Sequence, residues 1–458
     1  MADITAMSGL RGTGPSRHLR AVLAVISVFV VLGVVVGVSG ATSPSAAASS
    51  AVAVPLQVQL SASDDVAAAA GGGTAFVMGG SGIPLPSEGY VNAADIMYLR
   101  PNGFTGTAES LFTPQLYFPG NVSEVQGAQI LAAAINEQIA SGQAGPDNPV
   151  YVFGYSQSAA MSSMTMEQLY HQGVPAEDVH FVLVGNAANP NGGIVEMLNF
   201  WGGNLSFWNG MTLGHPTPDY FTTDVYTMEY DGYADFPRYP LNLLSTLNAI
   251  AGMFLTHIGY FGLSEDDIAN AIALETTDPD SLTNYYMIPA ETLPLLDLLR
   301  LNPVWGSPLA ALLEPSMRVL VNLGYGSLTE GWNQGPANVP TTISWDLLPS
   351  NISWTDINAA LANAWTEGVQ DAIKELQDPN TYFPGGFMAE EPFSTVWNAA
   401  QRVYFDIQDP TSLFGGSAMA TDPAGTSDFT DFLGSLVDGN PDLSWITDIF
   451  GLDMISPA

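Results

Sequence analysis

Apolar positions in the first half of the chain fall into short dense runs separated by longer amphipathic stretches. Thr74-Ala75-Phe76-Val77-Met78 is a buried-strand run ending at Gly79-Gly80-Ser81-Gly82, and Gln115–Pro119 reads as a second strand. Asn121 or Ser123 caps a helix that carries Ile130, Ala134, Ile135 and Ile139 and stops at Ser141-Gly142. Pro149–Phe153 is a third strand, Gln157–His171 a helix ended by Gly173, Val179–Val184 a fourth strand and Asp224–Tyr230 a fifth. Leu241–Leu255 reads as a helix, with Leu244, Leu247, Ile250 and Ala251 on its apolar face. Strands alternating with helices predict an α/β fold with a mostly parallel sheet. Chemistry in such sheets sits beyond the carboxyl ends of the strands.

Beyond about residue 262 the pattern changes. Residues 288–324 are apolar helical runs interrupted by Pro289, Pro294, Pro303, Pro308 and Pro315. Thr355 begins another helix, with Ile357, Leu361, Trp365, Val369, Ile373 and Leu376 spaced along one face. Periodicity is weak toward the C-terminus, and residues 326–458 are read as an extension of unknown role.

The N-terminus has a different character. Arg11, Arg17 and Arg20 precede an uncharged apolar run, Ala21–Val38, followed by the small residues Ser39-Gly40-Ala41. Basic, apolar and small-residue segments in that order predict an export signal over residues 1–41. The run is also long enough to span a bilayer, so an uncleaved membrane anchor through residues 21–38 is the alternative, with the arginines inside. Residues 42–73 are rich in Ala, Ser and Gly and read as a linker. Either reading places the rest of the chain outside the cytoplasm, secreted or in the cell envelope.

Charge narrows the partners. The 458 residues carry 9 Lys and Arg against 45 Asp and Glu, a net charge of −36. Such a chain repels phosphate backbones, so no nucleic-acid partner is expected. The absence of cysteine excludes disulfides, thiolate metal sites and a Cys nucleophile. No cofactor or metal is expected. Three Asn-x-Ser sequons, at Asn121, Asn204 and Asn351, are assigned no role.

The segment Val150 to Ala160, VYVFGYSQSAA, carries the chemistry. It places Ser156 at a sharp turn between a buried strand and a helix, with Gly154 and Ser158 as the small residues two before and two after. This is the pattern of a nucleophile elbow, G-x-S-x-S here instead of G-x-S-x-G. A serine nucleophile needs a base. His18 lies in the export signal, His171 at the far end of the helix, and His180 at the start of a strand. His215 precedes the fifth strand and is assigned to a surface loop. The chain order Ser, acid, His selects His257. The acid should follow the fifth strand, where Tyr230-Asp231-Gly232-Tyr233-Ala234-Asp235 offers two. A glycine after the strand with the acid three residues on matches Gly232 and Asp235. Asp235 is therefore preferred and Asp231 is the alternative. The oxyanion hole is expected from the backbone N–H of Gln157 and from the Gly79–Gly82 turn, chiefly Ser81.

These stretches resemble the PE-PPE domain family, cutinase-like serine α/β-hydrolases of actinobacterial envelopes. The resemblance rests on FVMGGSGIPLPS (76–87), VFGYSQSAAMSSMTMEQL (152–169), FVLVGNAANPNGG (181–193), YDGYADFPRYPLNLLSTLNAI (230–250), HIGYF (257–261) and RVLVNLGY (318–325). It covers residues 74–325, which become the expected hydrolase domain. A signal-like segment stands where the family's helical PE or PPE module would be. The resemblance implies an α/β-hydrolase fold and esterase or lipase activity through Ser156, Asp235 and His257, with an acyl ester or lipid as substrate. Some similar proteins are acyltransferases that build trehalose glycolipids, which supplies a second expectation. A third, of another class, is a non-catalytic envelope protein on a hydrolase scaffold. Phe200, Trp201, Phe207, Trp208 and Met211, between the fourth and fifth strands, are read either as an acyl-binding loop or as local packing.

Overall fold

β-Branched and aromatic runs without charge form the centre of the molecule, because a strand covered on both faces has no polar side to present. In the computed structural model, which describes residues 73–117, 120–199, 205–206, 212–302, 304–378 and 393–405, these runs assemble into one sheet. The sheet elements are β1 (Thr74–Val77), β2 (Thr107–Ser110), β3 (Val150–Tyr155), β4 (Val179–Val184), β5 (Thr222–Met228), β6 (Ile272–Leu274) and β7 (Thr283–Ile288). The order across the sheet is β2-β1-β3-β4-β5-β7-β6. All neighbours pair in parallel except β6, which runs antiparallel to β7 at the edge.

The principal helices are α1 (Glu88–Ala94), α2 (Gly120–Ala140), α3 (Gln157–Gln172), α4 (Leu243–Leu255), α5 (Pro294–Arg300), α6 (Gly306–Asn322), α7 (Trp354–Gln377) and α8 (Phe393–Phe405). Two apolar layers sandwich the sheet. On one side Tyr90, Tyr98, Phe153, Tyr226 and Phe261 cluster, and on the other Leu131, Ile135, Val152, Met166 and Phe181. A third cluster joins Tyr230, Leu293, Leu296, Val321 and Tyr325 beneath the C-terminal helices. This is the expected α/β architecture with a helical C-terminal region. Chain direction across the sheet reverses between β1 and β3, the point where open α/β sheets bind ligands beyond their strand ends. Gly79–Gly82 leaves β1 there, and Ser156 leaves β3 beside it.

Three expectations differ from the structure. Gln115–Tyr117 is not a strand: Gln115 has φ of 47°, and its carbonyl accepts the N–H of Gly82, so the segment lies along the Gly79–Gly82 turn. The edge strand is instead β2, Thr-Ala-Glu-Ser, which is only partly buried and so carries little apolar signal. Strands β6 and β7 lie in a stretch given no strand from sequence. Helix α7 forms as expected, but its apolar stripe is not its buried face. The buried residues are Ile357, Ala364 and Gly368, while Trp365, Val369, Ile373 and Leu376 are exposed. A side chain on Gly368 would meet the Leu312 carbonyl, so small residues let α7 approach α6.

The export signal or anchor (1–41), the linker up to residue 72, the loop aromatics Phe200, Trp201, Phe207, Trp208 and Met211, and residues 406–458 lie outside the described residues. Among the described residues no helix is long and apolar enough to cross a membrane.

Candidate active site

The elbow joins a strand buried through Gly154 to a helix that begins at Gln157. Ser156 sits between them with φ 58° and ψ −117°, a backbone conformation that few non-glycine residues adopt. Its N–H donates to the Val184 carbonyl on β4. A Cβ on Gly154 would lie 3.0 Å from the backbone of Ala159, so the strand and helix approach closely at that position. Ser158, the departure from the glycine pattern, is fully buried and locks the turn. Its hydroxyl accepts from the Tyr155 N–H at 2.9 Å and donates to the Tyr155 carbonyl at 3.0 Å.

His257 stands just after α4, on a short 3-10 segment, His257–Gly262. Its Nε2 is 2.8 Å from Ser156 Oγ. Its Nδ1 is 2.8 Å from Oδ2 of Asp231, which leaves the end of β5. An ionised carboxylate only accepts, so Nδ1 carries the proton and Nε2 is free to accept the serine hydroxyl. Ser156 and Asp231 follow strands separated by β4, and the imidazole spans that gap over Gly185. A Cβ on Gly185 (φ 58°) would lie 3.0 Å from His257 Cε1 and 2.9 Å from the Tyr260 ring. A side chain here would close this crossing, and glycine adopts the left-handed conformation at no steric cost.

Asp231, and not the expected Asp235, is the carboxylate that meets the histidine. Asp231 is fully buried, and its Oδ1 accepts the Tyr233 N–H at 3.0 Å. Asp235 points the other way. Its Oδ2 accepts the N–H of Tyr230, itself at φ 66°, at 3.1 Å. Burial pushes the Asp235 carboxyl well above the usual carboxylate range; the Tyr230 N–H opposes this, and nearby Glu229 and Asp231 add to it. Asp235 Oδ2 is bound to the Tyr230 N–H and not to the imidazole. Its place is to hold the turn that presents Asp231.

The two expected oxyanion positions flank the nucleophile. Gln157 is the first residue of α3, where backbone N–H groups lack helical partners. A Cβ on Gly80 would be 3.4 Å from Ser156 Cβ, which puts the glycine turn against the serine. The Gln157 side chain ties this region together. Its Nε2 donates to Ser81 Oγ at 3.2 Å and to the Leu116 carbonyl at 2.9 Å, and its Oε1 accepts from Ser123 at 3.0 Å. That stapling role was not read from sequence.

Tyrosines wall the histidine. Tyr155 stacks on it with centroids 5.2 Å apart and donates its hydroxyl to the His257 carbonyl at 2.7 Å. Tyr233 packs at 4.6 Å. Sequence reasoning passed over these residues, although the YSQS, DGYAD and HIGYF runs carry them. The other histidines are elsewhere. His180 pairs with Asp224 at 2.6 Å toward the opposite ends of their strands. His215 lies in a loop, as expected, but is partly buried and contacts Glu167 at 2.9 Å. Among the described residues no group of three His, Asp or Glu side chains gathers as a metal site.

The PE-PPE domain family matches residues 105–326. Over 348 residues the chain is 42% identical to the PPE family protein PPE28 of Mycobacterium tuberculosis, covering 73% of this chain and 51% of that one. It is 37% identical over 286 residues to Esterase PE16 of the same species, covering 59% of this chain and 51% of the relative. The chain thus spans about half the length of these curated relatives. Among solved structures it is similar to a cutinase-like protein from Cryptococcus sp., at 16% identity and TM-score 0.24 over 37% of this chain and 82% of that one. At that score the fold rests on the sheet described above.

Proposed function

We propose that this chain, which carries a PE-PPE domain, hydrolyses acyl esters with Ser156 as nucleophile, His257 as general base and Asp231 as the acid that orients it. The observation that carries the proposal is the continuous run Ser156 Oγ, His257 Nε2, His257 Nδ1, Asp231 Oδ2, with both links at 2.8 Å. Three side chains from separate elements converge with the connectivity acyl transfer requires.

In this mechanism Ser156 Oγ bonds to the ester carbonyl carbon while its proton passes to His257 Nε2. The carbonyl oxygen becomes an oxyanion held by the Gln157 N–H and the turn at Gly80-Ser81. The intermediate collapses, the carbon–oxygen bond to the alcohol breaks, and His257 returns the proton to the leaving alkoxide. Water then attacks the acyl-enzyme, giving its proton to His257, and the carboxylic acid leaves as Ser156 recovers its hydrogen. Asp231 stays ionised throughout.

An acyl substrate suits the rim of the site. Leu116 and Tyr117 are 45% and 57% exposed, and both border the turn beside the nucleophile. The name of Esterase PE16 agrees with this chemistry. The test is release of p-nitrophenol from p-nitrophenyl butyrate, with fluorophosphonate labelling of Ser156. A sugar acceptor is added in one arm, where the free acid should remain the product. Absence of both turnover and labelling in folded protein overturns the reading.

A further inference from the structure

Asp231 Oδ2 serves two donors. Besides His257 Nδ1 it lies 2.9 Å from the hydroxyl of Tyr260, three residues beyond the histidine. The direction of that hydrogen bond follows from its surroundings. The Tyr260 oxygen already accepts the backbone N–H of Met228 at 2.9 Å, so its own hydrogen is left for the carboxylate. Tyr260 is fully buried, and its backbone carbonyl accepts the hydroxyl of Tyr98 at 2.6 Å. The phenol is therefore fixed at both ends, within a turn of the imidazole it helps to align.

We propose that Tyr260 is a positioning residue for the acid of the relay, holding Asp231 Oδ2 in line with His257 and moderating its pull on the imidazolium through a shared hydrogen bond. The proposal rests on the esterase reading for its catalytic meaning. Donors that share one carboxylate oxygen draw charge from it, and the outer donor tunes the inner pair. No proton moves to or from Tyr260 in the reaction. Burial, with the adjacent Asp231 charge, pushes its hydroxyl well above the ordinary phenol range, which keeps it a donor.

The groups facing the pair from every side are few. Ser156, Tyr155, Tyr233 and the edge of Tyr260 face His257. Tyr233 N–H, Tyr260 and the more distant Asp235 and Tyr325 face Asp231. Tyr260 is the side-chain hydroxyl among them that hydrogen-bonds to the carboxylate.

The experiment compares Tyr260→Phe with Tyr226→Phe in the full chain. Two readouts are taken: the NMR pH titration of the His257 ring and the kcat/KM profile on p-nitrophenyl butyrate. Losing the shared donor strengthens the Asp231 pull on the imidazolium. In Tyr260→Phe the His257 titration and the acid limb of kcat/KM should therefore move together to higher pH. kcat should fall about tenfold with KM unchanged, as for one lost hydrogen bond to a charged group. Tyr226→Phe removes a buried hydroxyl of the same cluster that bonds to the Asn102 side chain and not to Tyr260, and should lower stability without moving either curve. If Tyr260→Phe does not fold, 3-fluorotyrosine placed at position 260 makes a stronger donor and should move the titration to lower pH. A His257 titration unchanged by either replacement overturns the proposal. Absence of turnover in the unmodified protein overturns the esterase reading alone, because the NMR titration still decides the role of Tyr260.

Discussion

The N–H of Asp235 donates to the carbonyl of Asp231 at 2.6 Å, closing a tight turn in which the two carboxylates point in different directions. One lies against His257. The other folds back onto the N–H of Tyr230, whose positive φ is the strained start of the same turn. Acids four residues apart thus divide the work: one faces the imidazole, and its partner holds the loop.

Turnover separates the two. Asp231→Asn should lower kcat by a factor on the order of 10⁴, the scale seen when the acid of a serine relay loses its charge. Asp235→Asn keeps the side-chain shape and leaves the Asp231–His257 contact in place, and should retain most activity. Steady-state kinetics on the two purified variants, with circular dichroism to establish folding, make the comparison. The reverse ranking would return the acid to Asp235.

Ser156→Ala should remove ester hydrolysis and fluorophosphonate labelling together. Alanine keeps the Cβ that already tolerates φ of 58°, so no new backbone strain arises and the thermal unfolding midpoint should be preserved. Residual turnover in the purified variant would place the nucleophile elsewhere.

Stability should depend on pH through Asp235. Its carboxyl is raised in the folded state, so over the interval above the ordinary Asp value the folded protein binds a proton that the unfolded chain has released. The contribution is complete below the unfolded value and is lost as pH rises toward the folded one. Between pH 5 and 8 the stability of Asp235→Asn relative to the unmodified protein should therefore increase, by at most about 1.4 kcal/mol per pH unit. Glu229 and Asp297 are also raised by burial but are present in both proteins, so the difference in urea midpoints isolates Asp235. A difference independent of pH would show that the carboxyl is ionised in the fold.

Gly252→Ala tests the wall behind Asp231. In an exposed helix this change stabilises by about 1 kcal/mol. Here Gly252 lies inside α4, and a Cβ would come within 1.9 Å of the Tyr230 carbonyl. Steric overlap of that size with backbone reverses the sign, with a cost of about 1–3 kcal/mol. Because Tyr230 precedes Asp231, turnover should fall as well. Urea unfolding and kinetics on the variant read both, and a stabilised, fully active protein would contradict the packing.

The sequence by itself determined the parts of this protein whose physics is local. Buried apolar runs set β3 and β4, a small residue on each side of Ser156 set the elbow, and the order of the chain picked out His257 as the histidine that meets the serine. Each follows from the residue and its neighbours, because covering an apolar strand or turning sharply into a helix leaves few alternatives. The tertiary structure decided what depends on residues far apart in the chain. Edge strand β2 lacks an apolar signal because an edge is only half covered. The buried face of α7 was decided by the close approach of α6, not by the helix's own stripe. Asp231 and Asp235 are both acids in the turn after the same strand, and spacing favours Asp235, whereas the imidazole meets Asp231. The choice was made by side-chain direction: Gly185 opens a path for the imidazole over β4, and Tyr260 and His257 meet at one carboxylate oxygen. Those contacts join residues up to 101 positions apart, from Ser156 to His257, and only the folded chain brings them within hydrogen-bond reach.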